Sequence, residues 1–269
     1  MAQWKHEIGF IGMGNMGYAI LKGLLKEYGP EQLIFSEPGE GRRESVAKET
    51  GVAAAPDNAA CASSCHYLIL AVKPQMFDAV IPGIRDVVTE EQVIIYLAPG
   101  ITRESVRERF GKPCRVVRTM PNTPALVGEG MTGVCYDQKE ISGEEQETLH
   151  RHFTSFGKMV LVEEHLMDAV GCASGCSPAY VYLFIEALAD SAVKYGLPRA
   201  MAYELVAQTV LGSAKMVLET GEHPGRLKDM VCSPGGTTIE GVSALEEYGM
   251  RNALIKATDA SYAKSMKLK

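Results

Sequence analysis

Short apolar runs alternate with amphipathic stretches along the first half of the chain. The stretch NMGYAILKGLLKEYG places Ile20, Leu21, Leu24 and Leu25 on one face of a helix, and GRRESVAKETG predicts a second helix. Apolar strands that alternate with helices indicate a parallel sheet covered on both faces. The predicted strands lie in EIGFIG, QLIFSEP, HYLILAVKPQ, QVIIYLAPG, CRVVRTMPN, MTGVCYD and KMVLVEEH.

After Glu164 the pattern changes to long apolar helices. Ser177 is expected to cap the first of them, with Pro178 in its first turn, and Thr237 with Glu240 fits a capping box for a later one. The uncharged run Ala169–Ile185 is interrupted by SGCSP, so we expect a loop and a buried helix instead of a membrane span. The predicted helices lie in SPAYVYLFIEALADSAVKYG, PRAMAYELVAQTVLGSAKMVLETG, TTIEGVSALEEYG and RNALIKATDASYAKSMK.

These patterns divide the chain into an α/β domain over residues 1–164 and an all-helical domain over residues 165–269. The helices of the second domain carry apolar residues around most of their circumference, more than a core of their own would need. Such helices are usually buried against another surface, so we expect an obligate dimer.

Composition narrows the classes of function. The chain has 269 residues, is 46% hydrophobic and carries a formal net charge of −6. Its one basic cluster is the short KSMKLK, so a nucleic-acid partner is not expected. The N-terminus shows no export signal, and the seven cysteines form no CxxC pair and lack zinc-site spacing. We therefore expect a cytoplasmic protein with reduced thiols, no metal and no membrane contact.

The first glycine motif predicts a nucleotide site. Gly12, Gly14 and Gly17 form GxGxxG after a strand and before a helix, with Asn15 and Met16 between the last two. In such a unit the glycines let the backbone reach a pyrophosphate, which the helix N-terminus stabilises. The sequence therefore indicates a Rossmann-type, doubly wound sheet that binds a dinucleotide.

The end of the second strand bears on the choice of cofactor. Glu37, next to Ser36, lies about twenty residues after Gly17, where a carboxylate would accept a hydrogen bond from the 2′-hydroxyl of NADH. Arg42 and Arg43 could instead pair with the 2′-phosphate of NADPH, or form a solvated first helical turn. Both cofactors stay open, with the carboxylate favouring NADH.

A second glycine turn, SPGGTT, opens a helix more than 200 residues later. A glycine turn at a helix N-terminus can hold an anion. Because the first glycine motif already accounts for a pyrophosphate, the second turn predicts a site for a different anion.

Four motifs resemble those of pyrroline-5-carboxylate reductases: AVKPQ at 71–75, MPNTPALV at 120–127, GCSPAYVY at 175–182 and SPGGTTIE at 233–240. The likeness covers the whole chain in the same order and includes AKMVLETGEHPGRLKDMVCSPGGTT. The resemblance implies a Rossmann domain followed by a helical dimerisation domain, and a homodimer that in some members assembles into a decamer. It also implies reduction of 1-pyrroline-5-carboxylate to L-proline with NADH or NADPH, the last step of proline biosynthesis.

The resemblance further implies residue roles at the cofactor. Asn58 would contact the adenosine ribose, although it also suits a helix N-cap. The turn formed by Ala71, Val72, Lys73 and Pro74 would lie near the nicotinamide; Lys73 could be a surface lysine, but its place at the carboxyl end of a strand favours the cofactor role. Ala98 would contribute a backbone contact, whereas Pro99 replaces the family's usual second alanine and lacks an N–H.

The substrate roles follow from the same likeness. The amides of Gly236, Thr237 and Thr238 would bind the substrate carboxylate, and Thr238 could hydrogen-bond the ring nitrogen as the catalytic residue. Asn122, with Thr123, would lie at the substrate, unless MPNTP is only turn chemistry. Ser177 would approach the same pocket or act as a plain cap. Some members have a carboxylate just before HPG, and here that carry-over is doubtful because the chain offers Gly221 and then Glu222.

Two other functions fit parts of the sequence. A 3-hydroxyacid dehydrogenase begins with a similar glycine motif but places a catalytic lysine early in the long helix of its second domain. Here no lysine occurs in that helix before Lys194. A non-catalytic nucleotide-binding regulator would keep the first glycine motif but would not need SPGGTT.

Overall fold

The computed structural model of the chain describes residues 4–97 and 99–267. The described residues form two compact units. One comprises the chain up to Cys176 together with the residues from Ser261 onward, and the other comprises Ser177–Ala260. The predicted division after Glu164 lies ahead of this one, because the residues that follow Glu164 pack against the sheet.

The first unit contains a sheet of eight strands within the described residues, in the order β3-β2-β1-β4-β5-β6-β7-β8. All neighbouring pairs are parallel except β6 and β7, which are antiparallel. The strands are β1 His6–Ile11, β2 Leu33–Ser36, β3 Ala53–Ala54, β4 Cys65–Leu70, β5 Val93–Tyr96, β6 Arg115–Met120, β7 Gly130–Cys135 and β8 Gly157–Leu161.

Both faces of this sheet are apolar, which explains the unbroken hydrophobic runs. Successive side chains of a strand point to opposite faces. In β4, Tyr67 and Ile69 join one core cluster, whereas Leu68 and Leu70 join the other. Register pairs Ile8 of β1 with Tyr67, so the two strands present matching faces.

Helices cover the two clusters. The first cluster includes residues of α1 Asn15–Leu24, α2 Glu40–Thr50 and α6 Gly143–Thr154. The second includes residues of α3 Asn58–Ala62, α4 Phe77–Ile84 and α5 Arg103–Phe110. The predicted apolar face of α1 is confirmed, since Ile20, Leu21 and Leu24 are fully buried and Leu25 packs beside them. The fold is therefore the expected doubly wound α/β sheet.

The second unit is helical. It contains α8 Ser177–Lys194, α9 Arg199–Thr220, α10 Pro224–Val231, α11 Thr237–Glu247 and most of α12 Met250–Met266. Its own core is small: Ala189, Ala202 and Val206 are the buried apolar residues of α8 and α9. Large apolar side chains lie exposed on the same helices, among them Leu183 (65% exposed), Leu211 (56%) and Leu218 (67%).

Two predictions for the segment before α8 are wrong. Residues Met167–Val170 form α7 and Gly171–Gly175 form a π turn, so SGCSP is not a loop, and Ser177 is the first residue of α8 instead of its N-cap. The helical run Glu164–Lys194 is long and apolar enough to cross a membrane by length and composition, a weak criterion that core helices also meet. Only 11% of its most apolar window is buried within the single chain, so burial of α8 stays a prediction that depends on the expected dimer.

Two cap predictions are also wrong. Helix α3 is capped by Asp57, whose side chain accepts from Ala60 N, so Asn58 is the first helical residue. Helix α11 has Gly236 at its N-cap and no side-chain cap, so Thr237 and Glu240 form no capping box. In both cases the N-cap is the residue immediately before the predicted one.

Candidate active site

The carboxyl ends of β2, β1, β4 and β5 meet at one edge of the sheet. Gly12 N donates to Ser36 O at 2.9 Å, Ala71 N to Ile11 O at 2.9 Å, and Leu97 N to Leu70 O at 3.3 Å. The strand order reverses between β1 and β4, where open α/β sheets bind their ligands. The predicted cofactor residues that follow β1, β2 and β4 are thus brought together.

The three glycines of the first motif have different neighbours. A Cβ on Gly12, where φ is 93°, would lie 2.8 Å from Val72 Cγ1, and one on Gly17 would lie 2.6 Å from Gly12 O. These two glycines let the strand, the turn and the helix approach closely. A Cβ on Gly14 would meet no described atom within 4 Å, so this position faces open space.

That open space fits a pyrophosphate. Helix α1 has Gly14 at its N-cap without a side-chain cap bond, as α2 has Gly39, whereas the caps of α3, α5 and α6 are the side chains of Asp57, Thr102 and Ser142. The first amides of α1, including those of Asn15 and Met16, are therefore left for a ligand. The residues present fit a dinucleotide cofactor.

The side chain of Glu37 is held against the glycine loop. Its Oε2 accepts from Met13 N at 2.9 Å, and its Oε1 accepts from Gly39 N at 3.0 Å. Arg42 donates from Nε to Met13 O at 2.8 Å, and Arg43 donates from Nη1 to Glu37 O at 3.1 Å. The acidic and basic candidates thus belong to one network around Met13.

Ser36 and Asn58 also meet at this edge. Ser36 Oγ donates to Asn58 Oδ1 at 2.7 Å, which joins the end of β2 to the start of α3. The bond orients the Asn58 amide, so its N–H groups are directed by a buried serine. Asn58 was predicted to contact the adenosine ribose and Ser36 to bind the cofactor, and the structure places the two side by side.

The turn after β4 continues the same edge. Ala71, Val72 and Pro74 are partly buried and Lys73 is exposed. Lys73 precedes a short 3₁₀ turn, Pro74–Met76, and its carbonyl accepts from Met76 N. Ala98 lies outside the described residues.

Asn122 follows β6 and is largely buried, with 9% exposed. Its Nδ2 donates to Ser174 O at 3.0 Å, and its Oδ1 accepts from Met131 N at 2.9 Å. The side chain therefore ties the MPNTP turn to the π turn and to β7. Thr123 beside it is exposed.

A buried ion-pair network in this unit escaped the sequence analysis. Arg118 on β6 is 1% exposed and pairs with Asp168 at 3.3 Å and with Glu164 at 3.7 Å. Glu164 also accepts from the N and Nε of Arg103, at 2.7 and 2.9 Å. An arginine inside the apolar strand CRVVRTM needs a buried partner, but nothing local indicates one fifty residues later.

The second glycine turn lies in the helical unit. Gly236 N donates to Ser233 O at 3.0 Å, and Gly235 has φ 67° after Pro234, which is the pattern of a type II turn. The positive φ favours glycine at 235, whereas a Cβ on Gly236 would lie 2.4 Å from Ser233 Oγ and would force that hydroxyl to rotate away. Thr237 and Thr238 open α11 and are exposed. This unit also holds Ser177, which is half-buried at the start of α8.

A doubly wound sheet with an uncapped glycine loop at its switch point is the fold of a dinucleotide-dependent oxidoreductase. Two family models match the chain, one described as NADP oxidoreductase coenzyme F420-dependent over residues 7–100, the other as pyrroline-5-carboxylate reductase dimerisation over residues 164–268. The chain is 44% identical to the pyrroline-5-carboxylate reductase of Escherichia coli over 98% of each chain.

Solved structures give the same result. A pyrroline-5-carboxylate reductase from Coxiella burnetii superposes with a TM-score of 0.90 at 32% identity, covering 98% of this chain and 99% of that one. The Plasmodium falciparum enzyme, solved with NADP bound, gives 0.88 at 32% identity over 99% of each chain. The chain belongs to the pyrroline-5-carboxylate reductase family.

Proposed function

We propose that this protein reduces 1-pyrroline-5-carboxylate to L-proline with NADH or NADPH. The observation that carries the proposal is the presence of two glycine-rich motifs at helix starts that lack a side-chain cap, GxGxxG before α1 at the switch point of the sheet and SPGGTT before α11. One anion site suits the pyrophosphate of a dinucleotide, and the other suits the carboxylate of a small substrate.

The bound dinucleotide supplies the hydride that the imine carbon receives. The chain itself holds the pyrophosphate at Gly14–Gly17 and the adenosine ribose beside Ser36, Glu37 and Asn58. The turn Ala71–Pro74 lies farther along the same edge, where it would border the nicotinamide together with Ala98. These contacts orient the reacting carbon rather than take part in bond making.

The substrate carboxylate would accept hydrogen bonds from the amides of Gly236, Thr237 and Thr238. Fixing this end of a small ring leaves little freedom at the imine. Orientation of this kind can lower the activation free energy by roughly 7–11 kcal/mol. Positioning is therefore the main contribution that we assign to the helical unit.

Reduction also requires a proton on the ring nitrogen. The imine can arrive protonated, so a strong acid of the protein is not obligatory. We assign to the Thr238 hydroxyl a hydrogen bond to that nitrogen, because a threonine is too weak an acid to drive the transfer alone. We assign to Ser177 a place at the same pocket, and to Asn122 the positioning of the turn that holds Thr123.

The experiment is a coupled assay on purified protein. NADH or NADPH should be oxidised only when pyrroline-5-carboxylate is added, and proline should form in equal amount. Absence of proline with both cofactors would refute the proposal. Hydroxyisobutyrate with NAD serves as the comparison, since a 3-hydroxyacid dehydrogenase would oxidise it.

Self-association follows from the dimerisation family that residues 164–268 match. We propose a homodimer formed through the exposed apolar faces of α8 and α9, with a decamer as a possible higher assembly. A cytoplasmic location suits a biosynthetic enzyme, and the apolar run Glu164–Lys194 then serves the dimer instead of a membrane.

A further inference from the structure

The carboxylate of Glu37 occupies a defined place at the end of β2. It accepts one hydrogen bond from Met13 N in the glycine loop and another from Gly39 N in its own turn. It is half-buried, and the residue before it, Ser36, is buried and bonded to Asn58. Two backbone amides thus fix the position of a negative charge where the adenosine ribose of a dinucleotide is expected.

From this geometry we infer that Glu37 makes the enzyme select NADH over NADPH. The inference deepens the proposed function, since it presumes the dinucleotide site described there. A carboxylate has about four lone-pair positions, so Glu37 can keep both amide bonds and still accept one from a ribose 2′-hydroxyl. A 2′-phosphate has no such proton at neutral pH and carries about two negative charges, which the fixed carboxylate repels.

The two neighbouring arginines have other contacts. Arg42 donates from Nε to Met13 O at 2.8 Å, and its guanidinium carbon lies 4.6 Å from the centre of the Tyr18 ring. Arg43 donates to Glu37 O at 3.1 Å and to Pro38 O at 3.5 Å. Both guanidinium groups are thus bonded to the backbone around Glu37, which steadies the loop that carries the carboxylate.

The experiment measures binding of cofactor fragments that lack nicotinamide, by calorimetry on the full-length protein. ADP-ribose is compared with 2′-phospho-ADP-ribose. The native protein should bind ADP-ribose at least about tenfold more tightly, a difference that a like-charge contact at close range can produce. Added salt should narrow this preference, because exposed charges are screened.

Two variants of Glu37 test whether its carboxylate causes the preference for ADP-ribose. Glu37→Gln keeps an acceptor for Met13 N but removes the charge, and should bring the two affinities to within about threefold of each other. Glu37→Ser removes both the carboxylate charge and the acceptor that reaches Met13 N. This variant should bind 2′-phospho-ADP-ribose more tightly than ADP-ribose. Glu40→Gln is the matched control, since Glu40 is an exposed carboxylate three residues further on; it should retain the native preference.

Equal binding of both fragments by the native protein would overturn the role of Glu37 while leaving the reductase proposal intact. The role of Glu37 would also be overturned if Glu37→Gln and Glu40→Gln shifted the preference equally, since the net charge of the protein would then be the cause. If the native protein binds neither fragment, the dinucleotide site itself is refuted, and the proposed function with it.

Discussion

His152 is a buried titratable group on α6, far along the chain from the glycine loops. It is 1% exposed, its Nε2 lies 2.8 Å from the Tyr28 hydroxyl, and its ring stacks edge-on against Tyr67 with centroids 4.8 Å apart. Burial, aided by the positive charges of Arg151 and His66, lowers the pKa of His152 to about 3. The imidazole is therefore neutral in the folded protein.

This burial makes the stability depend on pH. A histidine whose pKa falls on folding contributes stability above its unfolded pKa of about 6.5 and loses it as the pH falls toward 3. Between pH 7 and pH 5 the free energy of unfolding should fall by about 2 kcal/mol because of this residue. Urea titrations of the native protein and His152→Gln should show the smaller pH dependence in the variant; parallel curves would exclude His152 as the cause.

Thr238 offers a test of the substrate site at the level of one hydroxyl. Thr238→Ala should lower kcat with pyrroline-5-carboxylate about tenfold, the value of one hydrogen bond, and leave the Kd of NADH unchanged. Thr238→Ser, which keeps the hydroxyl, should restore most of the rate. Steady-state kinetics with calorimetry checks both, and an unaltered kcat in the alanine variant would remove Thr238 from the mechanism.

Single residues differ in how well the sequence predicts them. Spacing and turn chemistry were enough to predict the glycine loop and the acid at Glu37, because both follow from local backbone requirements. The bond from Met13 N to Glu37 and the pair of Arg118 with Asp168 could not be predicted, since each joins segments that only the folded sheet brings together.

The loop between β1 and α1 gives a prediction at the scale of an element, because its glycines serve different purposes. A methyl group on Gly17 would crowd Gly12 O and Ala71 Cβ, so Gly17→Ala should lower the stability by about 1–3 kcal/mol even without cofactor. A methyl group on Gly14 meets no described atom, and its φ of −68° suits alanine. Gly14→Ala should therefore keep the native Tm.

Cofactor binding separates the two variants further. Gly14→Ala should weaken the Kd of NADH, because its methyl group enters the space left for the pyrophosphate. Thermal unfolding with and without NADH measures both effects. A normal NADH affinity in Gly14→Ala would show that the pyrophosphate does not lie at this position.

Element boundaries show why local patterns fail at helix starts. The sequence of Ser177 and Pro178 suits a cap, yet the helix is already under way, because the π turn Gly171–Gly175 continues from α7. Asn122, in the turn after β6 and fifty-two residues earlier, donates to the carbonyl of Ser174 in that turn. Long-range support of this kind leaves no local sequence signal.

At the scale of the whole molecule, the helical unit exposes many large apolar side chains, whereas its own core cluster has three buried residues. Leu183→Glu places a charge on the exposed face of α8 and should shift the protein from a dimer toward 29.1 kDa monomers. Light scattering after size exclusion measures the mass. Lys48→Glu, on the exposed side of α2, is the control and should leave the mass unchanged; a Leu183→Glu protein of native mass would exclude this face as the interface.

Domain order and fold class could be predicted from hydrophobic periodicity, and the family comparisons confirm both. The compact units divide after Cys176, whereas the dimerisation family model begins at residue 164, where the helical pattern also begins. The residues after Glu164 look helical and apolar, yet Met167 joins Met120 and Cys135 in a core cluster on the sheet. Helical pattern alone does not tell which domain a helix packs against.

The tail of α12 returns to the first unit, where Ser265 Oγ donates to Asp168 Oδ1 at 3.0 Å. These two residues are separated by ninety-seven positions, and the whole helical unit lies between them. On the ribosome, the eight strands and Asp168 are synthesised long before Ser265 emerges. The sheet can therefore assemble early, but Asp168 acquires this hydrogen bond only after α12 has been made.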